Sequence, residues 1–147
     1  MAKPVPLLVM LLREGARLPA RQTEHASGFD LHACLADGTI EVGTMPVRVP
    51  TGIAIAAPPG ADVQIRPRSG LSARGVMGTF GTIDADYRGE LFVTLYCLAD
   101  VGNYVVNDGE RIAQLVIARL ADVEWSVVME LGETARGSLG HGSTGQI

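Results

Sequence analysis

No apolar run in the sequence approaches the roughly 20 residues that a membrane-spanning helix requires, so no membrane partner is expected. The longest such run, Val5 to Leu12, follows a single Lys3 and has about the length of the middle of a secretory leader. It is followed by Arg13, Glu14 and Arg17 and not by a small-residue cleavage pattern. It therefore reads as a first buried strand, and the expected compartment is the cytosol. A basic face is also missing. The net charge is -4 and the basic residues are scattered, which disfavours a nucleic-acid polymer as partner. A small anion is not excluded, because a few arginines and backbone N–H groups suffice for it. Cysteine is scarce: Cys34 and Cys97 lie far apart among apolar neighbours, as small buried hydrophobes do. A disulfide is not expected in a reducing cytosol. His25, His32 and His141 lack metal-ligand spacing, so a zinc site is not expected either.

What is present is alternation. Thr51 to Ala57 and Asp62 to Arg66 alternate like half-buried strands, whereas Leu91 to Leu98 and Ile112 to Ala118 read as more fully buried ones. Turn signals separate them: Asp37-Gly38, Pro58-Pro59-Gly60, Arg88-Gly89, Gly102-Asn103 and Asn107-Asp108-Gly109. Many short strands with frequent turns predict an all-β sandwich or barrel, formed as a single domain over 1–147. No long amphipathic helix is readable. One short helical turn is expected from Ser69 to Arg74, with Ser69 as its cap and Gly75 beyond it.

Five polar, glycine-punctuated segments break this pattern. In Ala26-Ser-Gly-Phe-Asp-Leu-His-Ala33, Asp30 either turns the backbone or is reserved for a hard cation. Arg66-Pro-Arg-Ser-Gly-Leu-Ser-Ala-Arg74 sets Arg68 and Ser69 beside a rigid proline at a helix start, the makings of an anion cradle. Gly81-Thr-Ile-Asp-Ala-Asp-Tyr-Arg-Gly-Glu90 holds two aspartates, Asp84 and Asp86, which need not share a role. Asp84, next to Ile83, is the better placed for general-base work, and surface ion pairing suits some of the other charges. In Gly109-Glu-Arg-Ile-Ala-Gln-Leu115, Gln114 sits in an apolar strand, where its amide needs a partner in backbone, water or ligand. Arg136 to Gly145 has four glycines in ten residues; it reads as a mobile tail or as a phosphate-binding arm.

In this order and spacing the five segments resemble the signature motifs of the trimeric dUTPase family, over about four-fifths of the chain. The resemblance implies a jelly-roll-like β fold with a flexible C-terminal lid over about 133–147, and a homotrimer with active sites at subunit interfaces. It implies hydrolysis of dUTP to dUMP and pyrophosphate, limiting uracil in DNA and supplying dUMP for dTMP synthesis. Asp84 corresponds to the base that holds the water attacking the α-phosphorus. Tyr87 corresponds to the ring beneath the deoxyribose that leaves no room for a 2′-hydroxyl. A hairpin from Gly78 to Ile83, with Gly81, Thr82 and Ile83, corresponds to the reader of uracil. Arg68, Ser69, Gly70 and Gln114 correspond to phosphate contacts. Asp30 corresponds to the carboxylate associated, through water, with the magnesium cofactor. Arg136, Gly142, Ser143 and Thr144 correspond to the part of the lid that meets the γ-phosphate.

Three positions depart from the family pattern. His141 stands where a phenylalanine usually stacks on uracil, and stacking is worth about 1–3 kcal/mol per base. Leu139 replaces a glycine, which restricts closure if that position needs positive φ. Gly78 stands where some members carry an asparagine, which leaves uracil to backbone groups. A weaker lid is expected, not a dead enzyme. The rival readings are a dCTP deaminase or bifunctional relative, and a non-catalytic trimeric nucleotide-binding module.

Overall fold

Among the residues that a computed structural model of the chain describes, 6–138 and 140, ten strands, one α-helical turn and one 3₁₀ turn form the secondary structure. The expected all-β class with one short helix is what the chain adopts. Strand β4 (Val47–Ala56) pairs antiparallel with β1 (Leu8–Leu11) and with β8 (Glu90–Cys97), and β8 pairs with β6 (Val76–Gly78). The second sheet runs in the order β2 (Gly28–His32), β10 (Arg111–Arg119), β5 (Ala61–Pro67) and β7 (Gly81–Ile83). A two-stranded ribbon pairs β3 (Thr39–Val42) with β9 (Tyr104–Asn107). Val49, Ile53, Val93 and Leu95 of the first sheet share one core with Leu31, Val63, Ile65 and Leu115 of the second, closed by Val42 and Val106 of the ribbon. This is a sandwich, in which each strand gives one face to the core.

That geometry corrects three sequence expectations. Strand β8 is not buried throughout: Leu91, Val93, Leu95 and Cys97 point inward while Phe92, Thr94 and Tyr96 are half-buried. Strand β10 is buried at Ile112, Ala113 and Leu115 but open over its last three residues. An antiparallel sandwich strand has only one face to bury. Strand β1 is not a buried strand in the single chain, because it lies at a sheet edge with Leu8 66% and Met10 65% exposed. The helical turn α1 (Ser69–Ser72) starts one residue earlier than expected: Arg68, not Ser69, is its cap, and it makes no side-chain cap bond. Gly75, at φ 77°, follows the turn as expected.

The expected uracil hairpin also differs. Strands β6 and β7 pair with β8 and β5 respectively, so Thr79 and Phe80 cross from one sheet to the other. The link lacks the Asn-Gly or Asp-Gly pair that closes a two-residue hairpin, and Thr79 N–H donates to the Thr94 carbonyl at 3.0 Å. In β4 the register shifts between Pro50 and Ala54, where Gly52 has φ 70°. Its N–H donates to Glu90 Oε1 at 2.8 Å, and a Cβ there would meet Ala16 and Cys34 at 2.8 Å. Only glycine fits that bulge.

Beyond β10, Leu120 N–H donates to the Gly60 carbonyl at 2.9 Å, and from 121 to 138 the chain has neither helix nor strand. Along it Val123, Trp125, Val127, Met129 and Leu131 alternate with mainly polar residues and are 70, 92, 98, 99 and 87% exposed. Among the described residues no helix is long and apolar enough to cross a membrane.

Candidate active site

The residues that the sequence nominates fall into two clusters. In the first, Thr82, Ile83, Asp84 and Tyr87 line one cavity of about 240 Å³ together with Arg48, Glu90, Phe92 and Thr94. Asp84 follows the end of β7, and Tyr87 N–H donates to its carbonyl at 3.0 Å, closing a turn. Asp84 and Asp86 therefore sit on turned backbone. The Asp84 side chain is exposed and engages no hydrogen bond or ion pair among the described residues, which leaves both carboxylate oxygens open to a water.

Strong ties hold the turn from behind. Arg13 grips Glu90 with both terminal nitrogens at 2.7–2.8 Å, and the same carboxylate accepts Gly52 N–H. Glu90 is thus paired with Arg13 across the sheet edge, not with Arg88 in a local surface pair. Arg88 instead donates to the Ala85 and Tyr87 carbonyls at 2.7 and 2.8 Å. Tyr87 O–H donates to the Glu90 carbonyl at 3.0 Å. Its ring lies over Gly89, where a Cβ would come within 2.3 Å of the hydroxyl and 2.5 Å of Cζ.

The second cluster stands on the polar face of the other sheet. The register sets Asp30 opposite Gln114 and Gln114 opposite Arg66, so these side chains share a face while Leu31, Leu115 and Ile65 point into the core. Asp30 lies 3.2 Å from Arg111 Nη1 and 3.9 Å from Arg68 Nε, and its side chain is 14% exposed. Arg68 also donates through Nη1 to the Arg111 carbonyl at 2.8 Å. Gln114 finds the backbone partner its position demanded, donating to the Pro67 carbonyl at 3.3 Å. The amide lies against Gly28, where a Cβ would meet its oxygen at 2.3 Å. Ser69 and Gly70 begin α1 beside Arg68. His32 ends β2 with Nδ1 buried and unpartnered among the described residues. Burial first, then Arg17, holds its pKa below the usual imidazole value, so it stays neutral at pH 7 and adds no charge beside Asp30.

Sequence reasoning missed Arg111, Gly28 and Gly89. Arg111 was legible inside the fourth segment, but its pairing with Asp30 needs the β2–β10 register. The two glycines are required by side chains that fold onto them, which no local pattern shows. The apolar alternation from Val123 to Leu131, just before the arm, was passed over as well.

The two clusters are linked through β5, which carries Arg66 and pairs directly with β7. In the order β2, β10, β5, β7, Asp30 and Ile83 lie on opposite edge strands, three strand spacings or roughly 14 Å apart. Leu139, His141, Gly142, Ser143 and Thr144 lie outside the described residues, and Arg136 sits in the exposed segment before them. A larger cavity of about 460 Å³, between Pro58–Gly60 and Ile117–Leu120, contains none of the nominated residues. Among the described residues no three His, Cys, Asp or Glu side chains gather to hold a metal. Among the described residues of one chain, no fully protein-built metal centre is formed. A magnesium ion that keeps its waters and relies on substrate phosphates needs only one carboxylate, and Asp30 fits that demand.

The dUTPase family model matches residues 14–145. A deoxyuridine 5'-triphosphate nucleotidohydrolase of Desulfotalea psychrophila is 49% identical over 136 residues, covering 90% of this chain and 89% of the relative. One from Maricaulis maris is 46% identical, covering 90% of each. Among solved structures, a mutant dUTPase of Staphylococcus bacteriophage 80alpha with dUpNHpp is similar at a TM-score of 0.81 and 28% identity, over 95% of this chain and 98% of that one. A mutant dUTPase of phage phi11 of S. aureus, described with a structural Mg(II) ion, is similar at 0.75 and 26% identity, over 86% and 98%.

Proposed function

The chain belongs to the dUTPase family and hydrolyses dUTP, and we propose that Asp84 is the base that holds and deprotonates the attacking water. The cavity that Asp84 shares with Tyr87, Thr82 and Ile83 carries this reading. A carboxylate with both oxygens open, beside a ring that can lie under a sugar, sets the nucleophile where the α-phosphorus of a bound nucleotide would be. The proton passes from water to Asp84 as the new P–O bond forms and pyrophosphate leaves, a contribution typically of about 10²–10⁴-fold. Backbone groups of Gly81, Thr82 and Ile83 read uracil. Arg68, Ser69, Gly70 and Gln114 take the phosphate oxygens, and Arg136, His141, Gly142, Ser143 and Thr144 close over the nucleotide from the arm. These groups counter charge spread over several oxygens, which phosphoryl chemistry requires.

Magnesium is the proposed cofactor, and Asp30 is the residue that would hold it, through water, since Arg111 lies 3.2 Å and Arg68 3.9 Å from its oxygens. When bound, the ion neutralises phosphate charge and polarises phosphoryl oxygens. Chelation with EDTA is expected to lower dUTP turnover by at least about tenfold, with recovery on adding magnesium. Turnover indifferent to chelation would remove the metal from the scheme.

The working unit is proposed to be a homotrimer with shared sites, each copy a single domain over 1–147 with a lid from about 133. One observation supports it: the segment before the lid exposes an alternating apolar row from Val123 to Leu131 that another surface can bury. The cytosol is the proposed compartment, in keeping with the free thiols Cys34 and Cys97.

The direct test measures pyrophosphate release from dUTP beside dTTP, dCTP and UTP, with ammonia release from dCTP as the check on a deaminase. Strong preference for dUTP with no ammonia is expected. The Gly89→Ala variant tests the sugar pocket: it displaces Tyr87, and the preference for dUTP over UTP is expected to fall by about tenfold or more. An unchanged ratio would show that Tyr87 does not read the sugar.

A further inference from the structure

We infer that Arg66, outside the residues assigned above, is a further triphosphate-binding residue, preset by a relay from Asp62 through Gln64. Asp62, Gln64 and Arg66 are successive outward positions of β5. Gln64 Nε2 donates to Asp62 Oδ2 at 2.6 Å, and Arg66 donates through Nε and Nη2 to Gln64 Oε1 at 3.2 and 3.1 Å. The order of the relay is forced by chemistry. The carboxylate only accepts and the guanidinium only donates, so the Gln64 amide must turn its NH₂ to Asp62 and its oxygen to Arg66. The flipped amide would set oxygen against carboxylate and NH₂ against guanidinium.

The relay fixes the guanidinium without neutralising it. A carboxylate partner would spend the charge, whereas a neutral amide orients it and leaves Nη1 with no partner among the described residues. The register decides where that charge stands. Arg66 is directly opposite Gln114, and Gln64 directly opposite Thr82, on the same polar face. Directly opposed Cβ atoms are about 4.5–5.5 Å apart, so Arg66 and Gln114 are immediate neighbours. Beyond Gln114, Arg68 and Arg111 share the single carboxylate of Asp30. With Arg66 added, this sheet face carries three guanidiniums against two carboxylates, Asp30 and Asp62, a positive surplus suited to the β- and γ-phosphates. Pre-orientation by the relay reduces the side-chain freedom that Arg66 gives up on binding.

The inference rests on the reading of Arg68 and Gln114 as phosphate contacts, so Arg68→Ala is measured beside it. In steady-state kinetics on the full chain, Arg66→Ala is expected to raise KM for dUTP about tenfold, with kcat within about threefold. Inhibition by dUMP, which lacks the β- and γ-phosphates, is expected to stay unchanged. Gln64→Ala, which frees the guanidinium but keeps its charge, should raise KM in the same direction by less. Arg66→Lys should recover only part of the loss, because an ammonium cannot use the fork that Gln64 holds. Thermal melts check that the variants fold. If Arg68→Ala raises KM and Arg66→Ala does not, the inference fails alone. It also fails if KM for dUTP and the dUMP inhibition constant rise together, since the effect is then not at the outer phosphates. If neither arginine variant changes KM, the phosphate-site reading fails with it.

Discussion

Replacing Asp84 by asparagine is expected to lower kcat for dUTP by about 10²–10⁴-fold, with affinity for a non-hydrolysable dUTP analogue changed by less than about threefold. Asparagine keeps the size and can still hold a water, but it cannot take the proton as the new P–O bond forms. The separation of kcat from binding is what marks a base, because a group used equally in ground and transition states would alter affinity instead. Stability should barely change. The Asp84 side chain engages no hydrogen bond or ion pair among the described residues, and the turn is held through its carbonyl, not its carboxylate. A thermal midpoint within about 2 °C of the parent chain would establish this. Rapid-quench pyrophosphate release reads the chemical step, and near-normal turnover would remove Asp84 from its role.

The second large effect is expected from the arm. Removing 133–147 should lower turnover by roughly 10²-fold or more, the scale of losing aligned donors at a phosphoryl centre, while leaving the trimer intact. Removing 121–147 should also abolish the trimer. Val123, Trp125, Val127, Met129 and Leu131 are 70–99% exposed in the single chain. Burying them against a second copy supplies association energy at about 25 cal/mol per Å². The same copy exposes Leu8 and Met10 on the edge strand β1. Sedimentation equilibrium separates the outcomes. A trimer that survives loss of 121–147 would show that the arm does not hold the copies together, and full turnover without 133–147 would show that it closes no site.

How much of this was legible from residues follows a simple division. The strands around Ile53, Ile65 and Leu115 were readable because side chains alternate with period two and the turns are glycine- and proline-marked. The burial of β8 was overestimated because an unbroken apolar run hides which face meets the core. The hairpin over Gly78 to Ile83 was implied by the family resemblance, whereas here Thr79 and Phe80 cross and β6 and β7 each find an edge in a different sheet. The cap of α1 was assigned to Ser69 on propensity alone, which the backbone at Arg68 overrides.

For the site, the sequence by itself determined the parts: the carboxylates Asp30 and Asp84, the arginine at Arg68, the amide of Gln114 and the ring of Tyr87, each in a motif of specific order. Residue type and short-range spacing are local properties, and the chemistry of each group is complete within its own segment. What only the tertiary structure decided was company. It joined Asp30 to Arg111, set Arg66 beside Gln114, folded Tyr87 onto Gly89, and put the Asp84 cavity at the opposite sheet edge from Asp30. These relations depend on strand register and sheet order, which bring together residues far apart in sequence, such as Arg111 and Asp30, 81 positions apart. No local pattern encodes such a pairing, because it is the burial of the whole sandwich core that selects the register.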